Sequence, residues 1–266
     1  MTEQKTPVMF IHGLWLHPTS WQPWIELFGE QGYEATAPSW PGVADTVAET
    51  REHPERQAGK GLAEVIGHFA QIISATESKP IIIGHSFGGL IAQSLLGQNL
   101  GTAAVAIDPA QIKGVLVLPP AQLRSAFPVL GKPANRKRAV SLTAEQFRYG
   151  FANAVSAEES AQLYDKWTIP SPARPLFEAA FANFVPNSPA KVDTRNSARG
   201  PLLLISGQQD RTVPNAVTQS AFHQYRHSTA VTDLRRLAGK GHSLTIDSGW
   251  RDVAETALGW LASHNL

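Results

Sequence analysis

A single serine, Ser86, lies in the stretch KPIIIGHSFGGLIAQ, where strand-forming isoleucines give way within a few residues to helical spacing. The pattern G-x-S-x-G, from Gly84 to Gly88, places its hydroxyl on the corner between the two elements. A strained turn of this kind lifts the hydroxyl off the sheet and aims the free N–H groups of the helix N-terminus at the same point. The pattern therefore predicts a nucleophile, and a plain glycine-rich turn with a surface serine is the alternative.

A serine hydroxyl attacks efficiently only when a base removes its proton and an acid orients the base. For a serine on a strand-to-helix turn, the expected chain order is serine, then Asp or Glu, then histidine. Asp210 in GQQDRTVP and His242 in GKGHS follow predicted strands in this order, so we predict that they are the acid and the base. Both would lie at the carboxyl ends of parallel strands, where open sheets place their sites. Asp108, at the end of another predicted strand, is the rival acid.

An acyl-transfer site also needs N–H donors for the oxyanion. Phe87 follows the serine, and its backbone N–H is one predicted donor. Leu14, in the loop HGLW after the first predicted strand, is predicted to supply the second. Gly13 would let this loop pass close to the substrate. We interpret His12 as a residue that organises the loop by hydrogen bonds, with direct proton transfer as the alternative.

Predicted strands and helices alternate along most of the chain, with strands that include 7–13, 103–108, 201–207 and 230–239. Because this order gives a parallel sheet with helices packed on both sides, we predict an α/β fold. The expected architecture is a doubly wound, mostly parallel sheet of about six strands. The strand at 230–239 is more polar than the others and is expected near an edge.

The interval from 109 to 190 breaks the alternation and contains most of the phenylalanines. We predict that 109–190 is an inserted helical cap, with helices near 143–155 and 175–184, and that 1–108 and 191–266 form the core domain. Most cap aromatics are expected to pack the cap onto the sheet. A few are predicted to line an apolar pocket together with residues of the core, the candidates being Trp15, Trp40, Phe127, Phe147 and Trp167. The basic stretch KPANRKR is interpreted as a solvated face, with attraction of acidic substrates as the alternative.

The composition excludes several classes of function. The chain of 266 residues has a formal net charge of +1 and no cysteine, so disulfides and thiolate chemistry are excluded and no global field attracts nucleic acid or an anionic membrane. No apolar run approaches the roughly 20 residues of a membrane-spanning helix. The start, MTEQKTPVMFIHG, lacks the apolar core of a secretory signal. We therefore expect a cytoplasmic monomer or homodimer without nucleic-acid or membrane partners.

The segments FIHGLW, GHSFGG, GQQDRTVP and GKGHS, in this order and each after a predicted strand, resemble the α/β-hydrolase family. The stretch from HGLW to SWPG is also similar to small esterases, cofactor-free haloperoxidase-like perhydrolases and plant hydroxynitrile lyases of that family. The resemblance spans about 8 to 260, whereas the predicted cap carries no motif. It implies a serine esterase without metal or cofactor. Little sequence precedes the first strand, so the two leading antiparallel strands of larger members are expected to be absent.

The expected function is cleavage of a carboxylic ester or lactone with a small or medium apolar group, through an acyl-enzyme on Ser86. Related dehalogenases and epoxide hydrolases place Asp at this position, which disfavours those activities. Two alternatives stay open. The same triad could perform perhydrolysis, C–C bond hydrolysis or cyanohydrin lysis, or the fold could serve as a non-catalytic ligand receptor.

Overall fold

The structure is a computed structural model, and it describes residues 5–266. Residues 1–4, part of the stretch in which we expect no secretory signal, lie outside the described residues. The strands in this range, in chain order, are β1 (Pro7–Ile11), β2 (Glu34–Thr36), β3 (Ile81–His85), β4 (Ala103–Ile107), β5 (Ala139–Val140), β6 (Ser171–Pro172), β7 (Leu202–Gly207) and β8 (Thr232–Leu237).

The α-helices alternate with these strands, and short 3₁₀ turns lie between them. In chain order they are α1 (Gln22–Glu30), α2 (Val47–Glu52), α3 (Leu62–Ser74), α4 (Phe87–Gly97), α5 (Pro120–Leu130), α6 (Ala144–Gly150), α7 (Ala157–Trp167), α8 (Arg174–Ala180), α9 (Asn215–Gln224) and α10 (Trp250–Ser263). No helix within residues 5–266 has both the length and the apolar composition needed to cross a bilayer.

Six strands form one parallel sheet in the order β2-β1-β3-β4-β7-β8. The predicted fold class is therefore confirmed. The polar strand β8 lies at an edge, as its sequence predicts, because β7 is its only partner strand within the part of the chain that the structure describes. The antiparallel pair of β5 and β6 was not predicted, because two residues per strand are too few to show an alternating pattern.

Side chains that alternate along the strands pack into two apolar clusters, one on each face of the sheet. In β1, Val8 and Phe10 belong to one cluster and Met9 and Ile11 to the other, as the two-residue period of a strand requires. Helices α1 and α10 cover the first face, and α3, α4 and α9 cover the second. Burial on both faces explains why the central strands read as continuous apolar runs.

Residues 109–190, which we call the cap segment, contain α5 to α8 and the β5–β6 pair, and they lie between β4 and β7. Side chains of the preceding core bind the backbone of this segment: Gln57 Nε2 donates to the Pro170 carbonyl at 2.8 Å. The predicted helix at 143–155 is shorter in the structure and ends at Gly150. The carbonyl of Phe151 accepts the Ser243 N–H at 2.9 Å instead of continuing the helix, so a contact distant in sequence ends it.

Candidate active site

Ser86 joins the end of β3 to the start of α4 in a strained conformation. Its φ is +56° and its ψ is −119°, in a region that residues other than glycine rarely adopt. Hydrogen bonds of the serine backbone hold the turn: the N–H donates to the Ile107 carbonyl and the carbonyl accepts from Ala110, each at 2.9 Å. Trp15 and Asp108 also have positive φ and follow β1 and β4, so three strained residues lie at the carboxyl ends of neighbouring parallel strands.

Two glycines permit the close approach of the segments around Ser86. A Cβ atom on Gly88 would overlap the carbonyl of Ile11, at the end of β1. A Cβ atom on Gly13 would lie 2.7 Å from the Cβ of Ser86. Neither position has room for a side chain, which explains why the sequence places glycine there. The loop after β1 therefore passes directly against the serine turn.

His242 and Asp210 form a fully buried pair. Nδ1 of His242 lies 2.5 Å from Oδ2 of Asp210. The other oxygen of Asp210 accepts the N–H groups of Thr212 and Val213 at 2.7 and 2.8 Å, which fixes the carboxylate. Because a carboxylate accepts, we assign the proton of the neutral imidazole to Nδ1. Nε2 is buried and has no hydrogen-bond partner within residues 5–266, so it is the free basic nitrogen.

The imidazole of His242 lies beside the serine turn. Its ring centroid is 4.6 Å from that of His85, the residue before Ser86, and 4.6 Å from the ring of Phe151. Nε2 makes no hydrogen bond to the Ser86 hydroxyl in this structure. Catalytic hydrogen bonds of this kind are often long without substrate and tighten when it binds. The structure thus brings His242 and Asp210 together and places the ring of His242 beside His85, the residue before Ser86.

Asp108 is a second buried carboxyl group at the same place. One ligand atom from each of Asp108, Asp210 and His242 lies within 4.8 Å of the others. Oδ1 of Asp108 accepts the Gly207 N–H at 2.7 Å, whereas Asp210 accepts two N–H groups and faces the imidazole. Burial and the adjacent charge of Asp210 raise the pKa of Asp108 well above its usual value. Burial therefore favours the neutral form of Asp108, whereas Asp210 is the carboxyl group that contacts the imidazole of His242.

His85 is also held neutral. Burial, and then the nearby His242, lower its pKa well below the ordinary value. A neutral His85 adds no competing positive charge beside His242 when the latter accepts a proton.

The loop after β1 is fixed by His12 and Trp15. Nδ1 of His12 donates to the Gly13 carbonyl at 2.8 Å, and Nε2 accepts the Trp40 N–H at 3.3 Å. Burial lowers the pKa of His12 to about 3, so the ring stays neutral. Trp15 donates its N–H to Ser171 Oγ at 2.7 Å and its indole N–H to the Val140 carbonyl at 2.9 Å. These bonds tie the loop that carries Leu14 to both strands of the cap segment.

Phe87 is the first residue of α4, and the first N–H groups of a helix have no partner inside it. Leu14 lies in the loop that touches Ser86. Both predicted oxyanion donors therefore belong to backbone segments beside the serine. Their roles as donors remain predictions.

A cavity of about 320 Å³ contains Ser86 and extends under the cap segment. None of the side chains that line it is charged. They include Trp15, Phe87, Leu118, Leu123, Ala126, Leu130, Leu176, Ala179, Phe181, Phe184 and Val213, with Gln111, Gln122, Ser125 and Thr212 among the polar ones.

Of the five predicted pocket residues, the structure places Trp15 in this cavity. The other four are corrected. Trp40 is buried and donates its indole N–H to the His12 carbonyl at 3.0 Å, so it supports the loop. Phe147 is buried against Phe151 in the core of the cap segment. Trp167 packs against the outside of the core cluster, with Lys166 over its ring at 4.5 Å.

Phe127 is 71% exposed and lines a neighbouring surface cleft instead of the cavity with Ser86. The prediction missed the residues of α5 that do line the cavity, Leu123, Ala126 and Leu130. Their spacing of three and four residues places them on one face of a helix, and that pattern could have identified them. The predicted pocket residues are instead all aromatic, and Phe147 among them packs inside the cap segment.

Asp108, Asp210 and His242 form the one group of three potential metal ligands among residues 5–266. A metal ion would have to separate Nδ1 of His242 from Asp210, which are in direct contact at 2.5 Å. The geometry thus fits a proton-transfer pair better than a metal site. The expectation of a site without metal stays a prediction.

The chain is similar to known proteins in sequence and in fold. A sequence profile described as "Alpha/beta hydrolase family" matches residues 8–256. A search of curated protein sequences finds no match to the chain.

Many solved structures share the fold. A monoacylglycerol lipase of Paleococcus ferrophilus is 21% identical with a TM-score of 0.68, over 98% of this chain and 96% of that one. The methylesterase MES16 of Arabidopsis is 15% identical with a TM-score of 0.66, over 97% and 99%. A meta-cleavage product hydrolase of Pseudomonas fluorescens IP01 is 18% identical with a TM-score of 0.65, over 98% and 92%. At these identities the similarity establishes the fold alone.

Proposed function

Because the chain belongs to the alpha/beta hydrolase family, we propose that it is a serine hydrolase that cleaves carboxylic esters through an acyl-enzyme on Ser86. The observation that carries the proposal is the buried contact of His242 Nδ1 with Asp210 Oδ2 at 2.5 Å, which leaves Nε2 free next to the strained serine turn. The presence of a lipase and an esterase among proteins of the same fold supports an ester substrate.

The proposed reaction begins when Nε2 of His242 accepts the proton of the Ser86 hydroxyl as Oγ attacks the ester carbonyl. Asp210 holds the imidazole by its hydrogen bond to Nδ1 and stabilises the imidazolium that forms. The backbone N–H groups of Leu14 and Phe87 bind the oxyanion of the tetrahedral intermediate. His242 then donates its proton to the leaving alcohol. Water attacks the acyl-enzyme by the same steps and releases the acid.

The proposed substrate is an uncharged ester or lactone with a small or medium apolar group. Apolar side chains predominate in the cavity, and none of its lining residues is charged, so a charged substituent would lose its hydration without a partner. The same absence of a lining Lys or Arg weighs against a lyase that needs a cation near the oxyanion. A volume of about 320 Å³ lies at the lower end of typical ligand cavities.

Hydrolysis of p-nitrophenyl esters by purified variants tests the proposal. Ser86→Ala should lower kcat on the order of a million-fold, because the nucleophile is lost. Ser94→Ala is the matched control, since Ser94 is a buried hydroxyl on α4, the helix that follows Ser86. It should keep the wild-type rate. Equal esterase activity of Ser86→Ala and wild type would refute the proposal, and an inactive wild type that binds esters would favour the receptor alternative.

A further inference from the structure

Exposed large apolar side chains are concentrated in the cap segment. Within residues 5–266, eight of the nine large hydrophobic residues that are exposed lie in two short parts of the cap segment. Leu116 and Phe184 are 80% and 83% exposed. The ninth, Val231, lies outside the cap segment, just before β8. We call the eight residues the apolar rim: Leu116, Val117, Leu118, Leu123, Phe127, Phe181, Phe184 and Val185.

The two parts of the apolar rim form one surface. Gly114 N–H donates to Asn183 Oδ1 at 2.7 Å, and Asn183 Nδ2 donates to the Val115 carbonyl at 2.8 Å. Lys113 Nζ donates to the Pro186 carbonyl at 3.0 Å. These bonds hold the segments beside each other. Four members of the rim also line the cavity with Ser86, so the rim is continuous with the cavity wall: Leu118, Leu123, Phe181 and Phe184.

The charge of the cap segment differs from that of the rest of the chain. It has nine Lys and Arg against five Asp and Glu, a net charge of +4, whereas the remaining residues have 14 against 17, a net charge of −3. Four exposed cations follow α5 directly and form the basic stretch, Lys132, Arg136, Lys137 and Arg138. A Cβ atom on Gly131 would lie 3.2 Å from Cζ of Phe127, so this exposed ring of the rim lies beside the basic stretch.

We propose that the apolar rim and the basic stretch dock the protein on the surface of an anionic lipid bilayer. The apolar side chains would enter the boundary between headgroups and acyl chains, and the cations would contact the anionic headgroups. An apolar patch of this kind on a soluble domain indicates an interaction site. The entrance of the cavity would then face the bilayer, which rests on the proposed function in so far as an apolar ester enters there.

Charge decides between a bilayer and a second copy of the chain. Two copies that meet through the same rim would bring two segments of net charge +4 together. An anionic surface complements this charge instead. The occupant that fits both the apolar side chains and the adjacent cations is therefore the anionic bilayer.

Co-sedimentation with vesicles tests the proposal without using catalysis. The wild-type protein should bind vesicles of phosphatidylcholine mixed with phosphatidylglycerol more strongly than vesicles of phosphatidylcholine alone. Leu116→Ser/Phe127→Ser should lower the partition coefficient about tenfold or more, because two apolar side chains are lost. Lys132→Glu/Lys137→Glu should remove the preference for phosphatidylglycerol. None of these residues lines the cavity with Ser86, so hydrolysis of a soluble short-chain ester should be unchanged.

Exposed residues outside the cap segment provide matched controls. Val231→Ser removes the one large apolar side chain that is exposed outside the rim within residues 5–266, and Arg235→Glu/Arg236→Glu reverses two exposed cations on the edge strand β8. Both controls should bind vesicles as the wild type does. The proposal is overturned if the wild type binds neither kind of vesicle, or if rim and control variants bind equally. It is also overturned if the rim instead forms a dimer that Leu116→Ser/Phe127→Ser dissociates.

Failure of docking is distinguishable from failure of the proposed function. The Ser86→Ala variant keeps the whole rim and should bind vesicles like the wild type. Vesicle binding by a protein without esterase activity would refute the proposed function and support the proposed docking. Esterase activity without vesicle binding would do the reverse.

Discussion

At the scale of single residues, the site contains two buried carboxyl groups where a serine hydrolase needs one. Two adjacent carboxylates in a buried site cannot both be ionised at low energetic cost. Asp210 accepts two N–H groups and contacts the imidazole, whereas burial and the adjacent Asp210 raise the pKa of Asp108 well above its usual value. From the sequence, Asp210 was the predicted acid that orients the imidazole, and Asp108 was the alternative. The structure gives them different partners: Asp210 contacts the imidazole of His242, and Asp108 accepts the Gly207 N–H.

Substitutions at position 108 test this division. Asp108→Asn should keep kcat/KM within a few fold, because an uncharged amide replaces a carboxyl group whose raised pKa favours the neutral form, and its oxygen can still accept the Gly207 N–H. Asp108→Leu should lower kcat/KM about a hundredfold, because the carboxylate loses its support and the imidazole is misplaced.

Asp210→Asn is the comparison for these variants and should cost about ten thousandfold in kcat, since the amide favours the wrong imidazole tautomer. Ester hydrolysis by the three variants gives the answer. If Asp108→Asn is as damaging as Asp210→Asn, the division of roles between the two carboxyl groups is wrong.

At the scale of elements, α5 sets the shape of the cavity. Leu123, Ala126 and Leu130 face the cavity, and Ala126 is the smallest of these side chains. A larger side chain at this position would fill the space available to the acyl or alcohol group. The size of the substrate should therefore depend on one residue of the cap segment.

Ala126→Trp should shift the ratio of kcat/KM for p-nitrophenyl octanoate over acetate toward acetate by at least tenfold, which is the scale for excluding a few methylene groups from a pocket. The exposed residue Ala134 lies in the same segment outside the cavity, and Ala134→Trp should leave the ratio unchanged. An unchanged ratio in Ala126→Trp would show that the substrate does not occupy this cavity.

The elements around Ser86 could be predicted from sequence because local rules determine them. A strand needs a short apolar run, and the sharp turn after it needs Gly88, where a side chain would meet the Ile11 carbonyl. The pocket could not be predicted in the same way. Phe127 and Phe147 have the same residue type, yet one is 71% exposed and the other is buried. Their environments depend on how the cap helices pack, which one short pattern does not encode.

At the scale of the whole molecule, buried neutral histidines link stability to pH. The folded state holds the pKa of His12 at about 3, whereas the unfolded chain has the ordinary value of 6.5. The unfolded state therefore binds a proton that the folded state does not. This contribution lowers stability as the pH falls from about 6.5 toward 3. Asp108, with its raised pKa, acts in the opposite direction because its folded form already carries the proton.

Urea unfolding at several pH values tests this linkage. The His12→Gln variant should lose less stability on acidification than the wild type, by up to about 1.4 kcal/mol per pH unit below pH 6.5. His227→Gln replaces an exposed histidine and should leave the pH dependence as it is. Equal pH dependence of His12→Gln and wild type would mean that His12 titrates normally in the folded state.

The charge distribution is also a property of the whole molecule. A formal net charge of +1 favoured the expectation of no membrane partner, yet it combines a cap segment of +4 with a remainder of −3. Which side chains surround the basic stretch depends on tertiary structure. Composition alone therefore could not predict the exposed apolar rim beside it.

Covalent labelling tests the central claim most directly. A fluorophosphonate reacts with a serine only when a base activates the hydroxyl, so the wild-type protein should gain one phosphonyl group. Mass spectrometry of peptides should locate that group at Ser86, Ser86→Ala should remain unlabelled, and His242→Ala should react at a small fraction of the wild-type rate. A wild-type protein that stays unlabelled, or that carries the group on another residue, would contradict the account.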